Sequence, residues 1–143
     1  MSEPGRPSRI LVAVSSALAA ERMATPVADL ATRLGAEVLV VHVSRPSAGQ
    51  LREQELADGE AALAELRLRL QQARVPVQTL LLFSDEIATA LLNTAREREC
   101  TLICAGLSGK NIFVRLLSGN VPVELIRQTR LPVLLLPPDT AAL

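Results

Sequence analysis

The chain has 143 residues, enough for one domain with a full core; it is 49% hydrophobic and carries no formal net charge. No apolar run approaches the ~18 residues a membrane span needs, so insertion into a bilayer is not expected. Lys110 is the only lysine, acids and arginines are interspersed, and aromatics make up 1% of the chain. A nucleic-acid binder's basic surface and stacking platforms are therefore both missing.

Residues 1–8 are polar, hold no signal-peptide core and read as a flexible lead, or as the cut end of a longer protein. Arg9 to Val14 is a near-continuous apolar run, the mark of a strand buried on both faces. Ser15 and Ser16 end it and can cap the segment after it. Leu18 to Leu34 has helical spacing, with Met23, Val27, Leu30, Ala31 and Leu34 on one stripe. Pro26 inside that segment either kinks the helix or marks where its regular part begins. Gly35 suits the helix end, and Ala36 to Val43 is a second buried strand.

Ser44 to Gln50 is a loop. Leu51 to Ala73 is a long amphipathic helix with Leu56, Leu63, Leu66 and Leu70 inward. Val75 to Phe83 is a third strand with Pro76 near its start. The next helix starts at Ser84-Asp85-Glu86, whose acids suit the positive end of the helix dipole, and runs to about Arg98. Thr101 to Ala105, a helix from Val121 to Gln128, a strand from Leu131 to Pro137 and a tail over 138–143 complete the order. The alternation βαβαβαβαβ predicts one α/β domain over 9–137, a doubly wound five-stranded parallel sheet with helices on both faces.

Cys100 and Cys104 flank one apolar stretch. Four apart on a strand they share a face. Two thiols and one histidine do not make a zinc site, so the simple reading is two buried reduced cysteines; a redox pair is the sharper alternative. His42, between valines on the second strand, reads as a satisfied core or strand-end residue rather than a catalyst.

The feature richest in chemistry is Gly106-x2-Gly109-x9-Gly119-Asn120, after the fourth strand and before a helix. Glycines let a backbone approach phosphate closely, and the N–H groups of a helix start point at it. The spacing is neither the dinucleotide fingerprint nor the Walker loop. In an open α/β sheet the ligand crevice lies beyond the carboxyl ends of the strands. Ala13 to Ser16, Val41 to Ser44 and the glycine loop can all reach it.

These elements together resemble a universal stress protein domain. The resemblance rests on Ile10 to Val14, Val41-His42-Val43, the Gly106, Gly109 and Gly119 set, and Leu131-Pro-Val-Leu-Leu; it spans Arg9 to Pro137. It implies a Rossmann-like fold of the adenine nucleotide alpha hydrolase type. It also implies ATP or another adenine nucleotide as ligand, with or without Mg2+. Gly106, Gly109 and Gly119 then match the loop glycines, and Val121 the residue after the third glycine and its polar neighbour. Val41 matches the second-strand residue whose main chain meets the base, and Ala13 lies where the first strand passes it. Lys110 can reach a phosphate as a point charge or stay solvated. Ser15 stands where the family has an acid, and Asn120 where it has Ser or Thr. The family also implies a homodimer paired through Leu131 to Leu136.

The expected function is a cytoplasmic, nucleotide-responsive regulator acting through dimer shape and partner contacts. Alternatives are a nucleotide-independent interaction domain, including one tethered to a transporter or sensor, and a binder of another adenine-containing messenger. An enzyme is not expected, because no general base or carboxylate pair for Mg2+ stands near the loop; a slow ATPase is the residual enzymatic reading.

Overall fold

In the computed structural model, which describes residues 8–45, 52–107, 121–141 and 143, Arg9–Ala13 forms strand β1. Ile10, Leu11 and Val12 are fully buried. Cover on both faces is why this segment shows no polar alternation. The other strands are β2 (Glu37–Ser44), β3 (Val77–Phe83), β4 (Leu102–Gly106) and β5 (Val133–Leu136). The helices among the described residues are α1 (Ala17–Leu34), α2 (Arg52–Gln72), α3 (Ile87–Glu97) and α4 (Val121–Gln128).

All strand pairs are parallel, in the order β3-β2-β1-β4-β5. The expected doubly wound sheet is present. One face packs Ile10, Val12, Val38, Val40 and Cys104 under α1 and α2. The other packs Leu11, Leu39, Val41, Ile103 and Ala105 under α3 and α4. Alternate residues of each strand feed opposite cores, which is the direct consequence of the strand's twofold period.

Ser16 caps α1: its Oγ accepts the Ala19 N–H at 3.1 Å. The helix runs on through Pro26, which is itself buried. An interior proline costs about 3 kcal/mol, and the neighbouring buried side chains Met23, Ala24, Val27 and Ala31 hold the helix together across it. At the α1 end Gly35 is left-handed (φ 60°), and two reversed bonds close the turn: Gly35 N–H to Thr32 O (3.3 Å) and Ala36 N–H to Ala31 O (2.8 Å).

The same turn ends α2 at Arg74 (φ 62°) and α3 at Glu99 (φ 56°). Val75 N–H reaches Leu70 O at 2.9 Å, and Cys100 N–H reaches Ala95 O at 2.8 Å. Val75 and Cys100 thus belong to helix ends. β3 starts at Val77 rather than Val75, and Cys100 lies outside β4. Cys100 therefore packs in the α3/α4 core while Cys104 packs in the α1/α2 core, and the shared face expected of them is not present.

A left-handed residue with a Cβ costs about 1–2 kcal/mol. Arg74→Gly is therefore expected to stabilise the fold by about 1 kcal/mol, a rise of about 3 °C in melting temperature by thermal unfolding.

α3 begins at Ile87, later than Ser84-Asp85-Glu86 suggests, and no acid lies in its first turn. The Ser84 hydroxyl accepts the Glu86 N–H at 3.0 Å, so these residues form a side-chain turn ahead of the helix. β5 is shorter than Leu131 to Pro137, bounded by Pro132 and Pro137.

Candidate functional site

The strand order reverses at β1, where chain connections lead out to β2 on one side and across to β4 on the other. Sheets of this kind open a crevice at the carboxyl edge of that point. Ala13, half-buried, ends β1 and pairs with Val41 on one side and Ala105 on the other. Ser15 is exposed two residues later. Gly106 is exposed at the end of β4; a Cβ there would come within 3.3 Å of Met23 Sδ on α1. The structure thus brings Ala13, Ser15 and Gly106 to one edge.

Val121 opens α4 and lines a cleft of about 280 Å3 with Arg45, Glu86, Thr89, Glu124 and Gln128. The expected contacts Gly109, Lys110, Gly119 and Asn120 lie outside the described residues.

Val41 is fully buried under α3 and α4, and its carbonyl accepts the Val14 N–H at 3.0 Å. Main-chain groups of a parallel strand turn to one neighbour at alternate residues. Val43 is therefore the next β2 residue facing β1, and the β1–β2 register ends below it at Ala13 and Val41.

His42 is 5% exposed and lies on the opposite face, toward α2. Its Nδ1 is 2.9 Å from Val14 O. A carbonyl only accepts, which assigns the proton to Nδ1. Nε2 is buried and has no hydrogen-bond partner among the described residues. Gly59 of α2 presses on the ring: a Cβ there would fall 2.2 Å from Cδ2 and 2.5 Å from Nε2. One turn earlier on α2, Glu55 accepts the Arg45 N–H through Oε1 at 3.3 Å, while its Oε2 is buried with no hydrogen-bond partner among the described residues. Gly59 and Glu55 do not stand out in the sequence. An isolated glycine on the buried stripe of a long helix was the available signal.

Burial pushes the Cys104 thiol up to about 12 and also raises that of Cys100. Both stay protonated at neutral pH, so neither has the thiolate that redox chemistry needs. Among the described residues, no group of three His, Cys, Asp or Glu is placed to hold a metal ion. No helix among them is long and apolar enough to cross a membrane.

The model of the universal stress protein family matches residues 7–137. The chain belongs to the universal stress protein family. Comparison with curated proteins finds no match. Among solved structures, a universal stress protein from Archaeoglobus fulgidus shares 24% identity over 90% of this chain and 92% of its own, with a TM-score of 0.69. The Archaeoglobus fulgidus universal stress protein in complex with dAMP shares 22% identity over 90% and 96%, with a TM-score of 0.67. A universal stress protein in complex with cAMP shares 21% over 91% and 96%, with a TM-score of 0.67. At these identities the likeness is one of fold. It establishes the Rossmann-like architecture of this universal stress protein over nearly its whole length.

Proposed function

We propose that this universal stress protein binds an adenine nucleotide at the carboxyl edge of β1, β2 and β4 and acts as a non-enzymatic regulatory module. The convergence of Ala13, exposed Ser15 and exposed Gly106 at the reversal of strand order carries the reading. Family members of the same fold are seen in complex with dAMP and cAMP, which supports adenine as the recognised base. The residues present fit such a ligand. Ser15 offers a hydroxyl to the sugar or base side, and Gly106 keeps the end of β4 free of a side chain. When bound, the nucleotide supplies the negative charge that the loop glycines and Lys110 are suited to receive. A serine in place of an acid leaves one hydrogen bond and no charge, which favours the nucleotide-independent interaction domain as the second reading.

Titration with AMP, ATP and cAMP, with and without Mg2+, tests the proposal by heat and by thermal shift. Saturable binding is expected, with a stabilisation of about 2.7 kcal/mol at ~100 times the dissociation constant. Neither heat nor shift at millimolar nucleotide would leave only the interaction domain. Release of ADP from ATP above a buffer control would overturn the non-enzymatic part.

The module is proposed to work in the cytoplasm as a homodimer paired through β5. β5 is a sheet edge. Ile103 N–H bonds Pro132 O and Leu107 N–H bonds Leu136 O. Residues 132, 134 and 136 therefore face β4, and the main chains of Val133 and Leu135 face outward. Such an edge is a template for another strand. Leu135→Pro removes an outward N–H and no β4 bond. The expected outcome is a folded monomer by circular dichroism and light scattering; an unchanged dimer would place the interface elsewhere.

A further inference from the structure

The pairing of β1 with β2 stops one step short of what the register allows. Residues 39, 41 and 43 of β2 turn their main chains to β1, and the last bond is Val14 N–H to Val41 O. Ladder geometry would next give the Val14 carbonyl to the Val43 N–H. A side chain takes it instead: His42 Nδ1–H donates to Val14 O at 2.9 Å.

The ring is fixed from its other side by Gly59, where no Cβ fits, and its Nε2 is buried with no hydrogen-bond partner among the described residues. A buried polar atom left unsatisfied costs about 1–3 kcal/mol. An aliphatic residue at this strand position would avoid that cost, as Val38 and Val40 do on the same face. The histidine is thus poorly explained by stability. It stands one residue before the crevice, on the carbonyl that leads into Ser15.

We propose that His42 is a positioning residue for the crevice. By taking the Val14 carbonyl it ends the β1–β2 pairing one step early. That leaves the Val43 main chain turned toward the crevice and fixes Ser15 at its rim. The inference rests on the proposed nucleotide site for its ligand, and on the ladder alone for its geometry.

Two variants of the full chain separate the donor from the bulk. In His42→Asn the amide nitrogen takes the place of Nδ1 and keeps a donor to Val14 O. In His42→Leu a methyl stands there. With the donor gone, the Val14 carbonyl becomes available to Val43. Amide exchange at Val43 is then expected to slow by about tenfold or more in His42→Leu and to stay near wild type in His42→Asn. AMP affinity is expected to fall by about tenfold or more in His42→Leu and to stay within about threefold of wild type in His42→Asn. The wild-type imidazole is expected to show the nitrogen resonances of a ring that carries a proton on Nδ1. Equal Val43 exchange and equal affinity in the two variants would overturn the proposal. So would a ring whose proton sits on Nε2 alone, a measurement that needs no variant to fold. Should wild type bind no AMP, the nucleotide reading fails by itself, and the tautomer and the Val43 exchange still decide the role of His42.

Discussion

Gly59→Ala is expected to destabilise the fold by about 2 kcal/mol, against the gain of about 1 kcal/mol that the same change brings in an ordinary helix interior. The sign is set by the atoms the new methyl would meet. Its carbon would sit 2.2, 2.5 and 2.9 Å from three atoms of the His42 ring. The ring is not a flexible chain end. It is buried, and its Nδ1–H is committed to Val14 O. Either α2 lifts from the sheet or the ring swings and gives up that bond, and both lose packing. Urea unfolding measures the effect, with a fall in melting temperature of about 6 °C as a second readout. Removing the obstacle should restore stability: Gly59→Ala combined with His42→Ala is expected to show a coupling above about 1 kcal/mol in a double-mutant cycle. A neutral or stabilising Gly59→Ala would mean that the ring does not lie under α2.

Gly59 also shows where sequence reading stops. The strands β1 and β2 were readable because burial on both faces leaves an unbroken aliphatic run, as in Ile10 to Val12 and Val38 to Val41. That Ala13, Ser15 and Gly106 lie toward one edge was readable because the alternation makes the strands parallel and puts their carboxyl ends on the same side; the strand order that makes β1 and β4 neighbours comes from the structure. Element ends were less so, for one recurring reason. The turns closing α2 and α3 are glycine turns built without glycine, at Arg74 and Glu99. One consumes Val75, expected to begin the next strand, and the other Cys100, expected to share a strand face with Cys104. No local pattern announces a left-handed arginine. Gly59 differs again: it lies on the same stripe as Leu63, Leu66 and Leu70, so its missing Cβ could have been suspected. Its reason lies in His42, on another element, and periodicity carries no information about such pairs. The role of His42 itself becomes visible only with the β1–β2 register, which shows a carbonyl leaving the ladder.

Leu125→Ala is expected to cost about 3 kcal/mol and to act chiefly on α4 and the ligand. α4 has eight residues, too few to be stable without packing. Leu125 is its buried residue, fully enclosed in the core that holds Leu91, Ala95 and Ile103. Val121 packs at the edge of the same core, while on the surface Glu124 pairs with Arg127 at 3.7 Å and Thr89 Oγ1 donates to Gln128 Oε1 at 3.3 Å. Exposed pairs of this kind contribute little. Shortening Leu125 therefore weakens the main anchor, among the described residues, of the helix over Val121–Gln128. Amide exchange should accelerate across α4 well below the melting temperature, and AMP affinity should fall with it, since binding must then also order the helix. Leu66→Ala is the matched control: Leu66, on α2, is fully buried in the core on the other face of the sheet. It should cost a similar amount in urea unfolding, yet leave α4 exchange and AMP affinity near wild type. If the two variants changed affinity equally, α4 would be no more than part of the general fold, and the anchoring role of Leu125 for the site would be lost.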